Sequence, residues 1–301
     1  MQPDYVRIQL EQASDRQAWK RFLPDRLLYW LCYRPPKMTV GVEELGDFQG
    51  LKVELPFTIH ELSKCNQDWF CKYLSYLGEH YGIGESACFM DPAIQEHFQI
   101  EEESYEKYLK MLLLKETVNR MLHKRCITYR QARFVVVDDG SKQAEYVIAD
   151  LAKDANYMTV ITDRADALQR VADSIFLEQG LAITMMSEKD LVELKGDVII
   201  NLISDKEKIT TRIVGTCDLF DFGYTDQKAL RLNQMNSQMH IFHTVKIKSM
   251  GDVIALTQLS QIFYYKDRAF QGFVNGRYDS ELGVLFSQLW DSSFIEMVKV
   301  Y

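Results

Sequence analysis

Residues 133–153 read RFVVVDDGSKQAEYVIADLAK, and the fold turns on them. The hydrophobic run at 134–137 stops at a polar turn and leads straight into a helical pattern. Ala144, Val147, Ile148 and Leu151 recur there at three- and four-residue spacing. Strand, tight turn and helix in that order open a nucleotide-binding βαβ unit. The turn itself departs from the usual form. In a Gly-x-Gly-x-x-Gly turn the first glycine permits the tight bend, the second lets the pyrophosphate approach, and the third lets helix and strand pack closely. Those places hold Asp138, Gly140 and Gln143.

Downstream the pattern repeats. A strand YMTVITD precedes a helix ADALQRVADSIFLEQG that ends at Gly180, and LAITMM precedes the short helical stretch SEKDLVELKG. GDVIINLIS follows, and TCDLFDFGY and MHIFHTVKIK read as two further strands. Continuous apolar strands separated by helices indicate a parallel sheet covered on both faces. Two helices, GDVIALTQLSQIFYYKDRAF and ELGVLFSQLWDSSFIEMVKV, are expected at the C-terminus.

Upstream, DRQAWKRFLPDRLLYWLCYRPP carries an apolar helical face stopped by Pro35 and Pro36. KMTVGVEEL and GLKVELPF read as two strands around a glycine-containing turn. IHELSKCNQDWFCKYLSYLGEHYGIG reads as a helix burying Trp69, Phe70, Tyr73, Leu74 and Leu77. From Ser104, the residues Tyr108, Leu109, Leu112, Leu113, Val118 and Leu122 mark a long amphipathic helix. The fold class is therefore α/β: an N-terminal α+β region (1–103), a linking helix (104–130), a doubly wound parallel Rossmann-like domain (131–248) and C-terminal helices (249–301).

In such a sheet, ligands bind beyond the carboxyl ends of the strands, at the point where the strand order reverses. The first loop there holds Asp138, Asp139, Gly140, Ser141 and Lys142. Asp138 adds negative charge where a diphosphate would arrive and stands where glycine's backbone freedom is normally used. Ser141 and Lys142, at the helix N-terminus, offset that charge. The alternative is a plain polar turn with Ser141 as the helix cap. In the second loop Asp163 falls about 20 positions on, where an acid holds the ribose hydroxyls of NAD. Arg164 beside it could meet the 2′-phosphate of NADP or stack on adenine. Asp163 could equally cap the next helix. Asn201, Ser204 and Asp205 end the next strand, and Asp221 and Tyr224 the one after it. Asn201 is a lone amide in an apolar run, so it needs partners.

The stretch FVVVDDGSKQAEYVIADLAKDANYMTVITDRADALQRVAD, with GDVIINLIS beyond it, resembles the NAD(P)-binding domain of the shikimate dehydrogenase and glutamyl-tRNA reductase type. The whole-chain layout is similar too. VELPFT, ahead of a helix, resembles the substrate domain of acyl-carrier-protein reductases of that superfamily. The resemblance implies an oxidoreductase using NAD or NADP on a small molecule, with a degenerate glycine loop. No catalytic residue carries over. The N-terminal region lacks the Lys/Asp pair of shikimate dehydrogenases, and no adjacent His activates Cys88 in GESACFMDP.

Other readings compete. A non-catalytic Rossmann-like protein would sense a nucleotide or act through its aromatic N-terminal region or C-terminal helices, which are also the expected homodimer surfaces. An S-adenosylmethionine-binding protein would use the acidic turn and Asp163. A phospho-receiver domain needs an Asp at the end of the third strand, and LAITMM has none. His240 and His243 would point to opposite faces of a strand, which disfavours a shared metal.

Composition narrows the classes. The chain has 301 residues, 47% hydrophobic and 26% charged, which is ordinary for a globular protein of two domains. A net charge of −8 argues against nucleic acid as a partner, since phosphate neutralisation needs a basic face. The basic stretch HKRCITYRQAR reads as an exposed connector. No apolar run is long enough for a membrane helix, and MQPDYVRIQLEQASDRQ is not a secretory signal. The six cysteines lack zinc spacing, and a chain of this size needs no disulfide staples. A cytoplasmic protein without membrane association is the expectation.

Overall fold

The computed structural model describes residues 3–10, 39–55, 58–62, 67–81, 86–100, 104–203, 210–222, 226–242, 245–249, 252–277 and 294–297. The chain forms two compact units, Met1–Tyr105 with Lys248–Gln271, and Glu106–Ile247 with Gly272–Tyr301.

The first unit carries a four-stranded sheet in the order β2-β3-β1-β4, built from β1 (Tyr5–Leu10), β2 (Thr39–Leu45), β3 (Phe48–Leu55) and β4 (Ala87–Met90). β2 and β3 are the antiparallel pair expected around the glycine turn. β1 joins β3 and β4 in parallel. Helices α1 (Ile59–Leu62), α2 (Gln67–Tyr81) and α3 (Pro92–Phe98) complete its N-terminal part. Phe70 and Tyr73 of α2 are buried with Val6, Ile8, Val53, Leu55 and Ile94, as the spacing predicts. β1 and β4 are not among the strands expected from the sequence. Each is short, and Cys88 stands on the second of them. The helix expected over 15–36 lies outside the described residues. Helix α8 (Leu256–Lys266) returns to this unit, where Ile262 is buried with Tyr5 and Phe89.

The second unit begins with α4 (Glu106–Lys124), whose Leu109, Leu112, Leu113, Val118 and Leu122 are buried as expected, joined by Met111, Leu114 and Met121. It then alternates β5 (Arg133–Val137), α5 (Lys142–Ala152), β6 (Tyr157–Ile161), α6 (Ala165–Gln179), β7 (Thr184–Met186), β8 (Val198–Asn201), β9 (Cys217–Asp221), α7 (Asp226–Met235) and β10 (Met239–Phe242). The sheet order is β10-β9-β8-β5-β6-β7, and every neighbouring pair is parallel. Numbered along the chain this is 3-2-1-4-5-6 read from β7, the doubly wound Rossmann order, with its reversal between β5 and β8. β8 and β9 are buried at every position, as strands covered on both faces must be. Gly180 ends α6 in the left-handed conformation (φ 73°), its N–H bonded to the Phe176 carbonyl.

Three C-terminal expectations change. MHIFHTVKIK forms β10 and then β11 (Val245–Ser249), with 243–244 outside the described residues. The helix expected over GDVIALTQLSQIFYYKDRAF is instead a strand, β12 (Asp252–Ile254), followed by two helices, α8 and α9 (Arg268–Val274), divided at Asp267. The last expected helix is a strand where it is described, β13 (Phe294–Met297). Its Phe-Ile-Glu-Met run favours an extended chain, and helical spacing over the wider window hid it.

Candidate functional site

The turn after β5 is closed by its own side chains. Asp138, whose side chain is 1% exposed, has both carboxylate oxygens fully engaged. Oδ1 accepts the Gly140 N–H at 2.9 Å and the Arg164 Nη2 at 3.0 Å. Oδ2 accepts the Thr162 hydroxyl at 2.8 Å and the Arg164 Nε at 2.8 Å. A carboxylate offers about four lone-pair positions, and all four are filled here.

Asp139 is similarly held. Its Oδ1 accepts the Ser141 N–H (3.0 Å) and hydroxyl (2.6 Å), and its Oδ2 accepts Lys107 Nζ at 2.6 Å. Burial opposes ionisation of Asp139, but the hydrogen bonds from Lys107 and Ser141 prevail and hold its carboxyl below the usual range. Ser141 Oγ also accepts the Ala144 N–H at 3.1 Å, so the cap reading of Ser141 is correct.

The backbone donors that would receive a diphosphate are thus already used. Gly140 and Ser141 give their N–H groups to Asp138 and Asp139, so carboxylates stand in for phosphate oxygens. Gly140 has φ +83°, and a Cβ there would meet nothing within 4 Å. Its role is backbone freedom, not the close approach assigned to it from the sequence. Asp138 carries no such strain, since the non-glycine residues with positive φ among those described are Gln99 and Cys126.

The third glycine place is also occupied by structure. Gln143 is buried, and its Nε2 donates to the carbonyls of Phe273 (2.8 Å) and Val274 (2.9 Å). Gly276, in the turn after α9, lies against the stem of Lys142, which is exposed and is not the cation that meets the acidic turn. Lys107, on α4, is that cation; the sequence reading passed over it because it is remote in sequence from Asp139.

Arg164, expected to meet a 2′-phosphate or adenine, is engaged instead. Besides both Asp138 oxygens, its Nη1 reaches Glu145 Oε1 at 3.0 Å and its Nη2 donates to the Ser141 carbonyl at 2.8 Å. It spans the turn from β6 to the first turn of α5. Asp163 beside it is exposed, and its Oδ1 accepts the Ser187 hydroxyl at 3.1 Å. Asp163 does not cap the following helix; Arg164 holds the cap position, without a side-chain cap bond.

Asp163 lines a cavity of about 310 Å³ at the carboxyl ends of β6 and β7, with Thr162, Ala165, Met185, Met186, Ser187 and Lys189. That volume is at the lower end for small-ligand sites. Ser187 and Lys189 carried no sequence motif. Met185 and Met186, at the end of β7, also line it.

Asn201 is buried and satisfied within the chain. Its Nδ2 donates to Asp221 Oδ2 at 2.8 Å and to the Ile203 carbonyl at 3.2 Å, and its Oδ1 accepts the Ile203 N–H. Ser204, Asp205 and Tyr224 lie outside the described residues. At the opposite, amino end of the sheet, buried Asp218 pairs with Arg125 at 2.7 Å and with His240 Nδ1 at 2.9 Å. His243 lies outside the described residues. Among the described residues, no group of three or more His, Cys, Asp or Glu could hold a metal, and no helix is long and apolar enough to cross a membrane.

No protein-family model matches the chain, and comparison with curated proteins finds no match. Solved structures similar to it include the ligand-free 5-ketofructose reductase of a Gluconobacter species, at 10% identity and TM-score 0.37, covering 95% of this chain and 98% of that one. Shikimate 5-dehydrogenase from Listeria monocytogenes, in complex with shikimate and NAD, is similar at 8% identity and TM-score 0.35, with 95% and 96% covered. A chorismate mutase/shikimate 5-dehydrogenase fusion protein from Clostridium acetobutylicum is similar at 13% identity and TM-score 0.33, with 95% and 97% covered. The likenesses are slight, and the Rossmann fold rests on the strand order and parallel pairing.

Proposed function

We propose that this protein binds a nucleoside-type small molecule in the cavity at the carboxyl ends of β6 and β7 and acts as a nucleoside-sensing module. The observation that carries the reading is the placement of Asp163 in that cavity, at the end of the second strand of a doubly wound sheet. An exposed carboxylate there accepts hydrogen bonds from the two ribose hydroxyls. Met185 and Met186 offer polarizable apolar surface to a base, and Lys189 adds a donor. Adenosine is the simplest ligand of this kind, and S-adenosylmethionine carries the same nucleoside.

A second reading, an NAD(P)-dependent oxidoreductase, is favoured by the strand order and by the reversal between β5 and β8, across which such folds bind a dinucleotide. It requires the turn at 138–141 to open.

Isothermal titration with adenosine, S-adenosylmethionine, NAD and NADP separates the two. Sensing predicts binding of adenosine, weakened at least tenfold by Asp163→Ala. Tighter binding of NAD or NADP than of adenosine would favour the oxidoreductase. Absence of binding by all four at millimolar concentration would overturn both.

A further inference from the structure

We propose that the Asp138–Arg164 pair is a specificity filter, admitting a nucleoside whose 5′ end carries no phosphate and turning away one that carries a 5′-diphosphate. The proposal rests on the nucleoside reading of the β6–β7 cavity. Arg164 sits between two lining residues of that cavity, Asp163 and Ala165, while its side chain reaches back across the turn. One residue therefore joins the nucleoside site to the place a diphosphate would occupy.

The chemistry of exclusion is local. A diphosphate seated on the helix N-terminus draws first on the N–H of the glycine in the turn, and the Gly140 N–H is bonded to Asp138. It would also bring its charge close to the Asp138 and Asp139 carboxylates, whose cations Arg164 and Lys107 are already engaged. Arg164 cannot be recruited without loss. Turning it to the phosphate strips two bonds from Asp138, one from Glu145 and one from the Ser141 carbonyl. Asp138 would then stand as a buried charge without its cation. The 5′ end of adenosine makes none of these demands.

The design predicts non-additive variants. Arg164→Ala alone does not open the seat, because Asp138 remains. Asp138→Gly with Arg164→Ala restores the first glycine, frees the Gly140 N–H and removes the Asp138 carboxylate, while the Ser141 N–H stays with Asp139.

The test is titration of adenosine and ADP into the wild type, the Arg164→Ala variant and the double variant, with thermal melts to verify folding. The wild type should bind adenosine at least tenfold more tightly than ADP. That comparison needs no variant and stands if a variant fails to fold. The double variant should raise the affinity for ADP relative to adenosine at least tenfold, and Arg164→Ala should leave that ratio as in the wild type. If the wild type binds adenosine and binds ADP equally well or better, the filter is wrong while the nucleoside site survives. If the folded double variant gains no ADP affinity relative to adenosine, the filter is likewise wrong. If adenosine does not bind at all, the nucleoside reading itself falls.

Discussion

Arg164 holds Asp138 in a two-bond fork, Nε to Oδ2 at 2.8 Å and Nη2 to Oδ1 at 3.0 Å, with the carboxylate 1% exposed and the guanidinium 26% exposed. Removing the cation leaves a buried charge. Arg164→Met is expected to cost about 3 kcal/mol, the lower end for a broken buried pair because the arginine is partly solvated. Asp138→Asn combined with Arg164→Met should cost less than Arg164→Met alone, since no charge is then stranded. Urea unfolding of the two variants checks this; equal losses would deny the pairing its assigned role.

Asp139 predicts a pH dependence. Its carboxyl is held below the usual range, with the Lys107 and Ser141 bonds outweighing burial. A depressed acid stabilises the fold above its unfolded value, about 3.9, and loses that contribution as pH falls through the folded value. At pH 7 Asp139→Asn should therefore cost about 1.5–3 kcal/mol, as for hydrogen bonds to a charged group. The difference from wild type should shrink steadily below about pH 4. A constant difference from pH 7 to pH 3 would contradict the assignment.

Gln143 ties α5 to the end of α9 through two carbonyls. Gln143→Leu leaves both without that donor and is expected to cost about 1–2 kcal/mol. Amide exchange at Gly276 and Arg277, whose N–H groups close the turn onto Phe273 and Gly272, should quicken about tenfold. Unchanged exchange there would mean that Gln143 does not secure the turn.

Burial pushes the Cys217 thiol up to about 12, so it is protonated and shielded at neutral pH. Cys71 and Cys126 are exposed. Alkylation read residue by residue in the mass spectrometer should mark Cys71 and Cys126 in the native protein and reach Cys217 only in denaturant. Native labelling of Cys217 at a similar rate would show that β9 is less protected than its burial implies.

The parallel domain was legible because strands covered on both faces are apolar throughout, and VVV at 135–137 or VII at 198–200 resembles little else. Ser141 as a cap was legible because its partner is three residues away. The state of the phosphate turn was not. It depends on Arg164, 26 residues from Asp138, and on Lys107, 32 residues before Asp139, and neither pairing leaves a periodic trace. β1 and β4 escaped for another reason. YVRIQL and ACFM are too short to establish a period, and parallel partners distant in sequence make them strands. The cavity beside Asp163 takes Ser187 and Lys189 from a single 3-10 turn that matches no motif.

On the proposed reading the ligand sits at the ends of β6 and β7 while the turn at 138–141 stays closed. Amide chemical shifts recorded as adenosine is titrated into the 15N-labelled protein test it most directly. Thr162, Asp163, Ala165 and the residues from Met185 to Lys189 should shift together and saturate, with Gly140 and Ser141 unmoved. Saturating shifts at Gly140 and Ser141, with the β6–β7 edge silent, would contradict it.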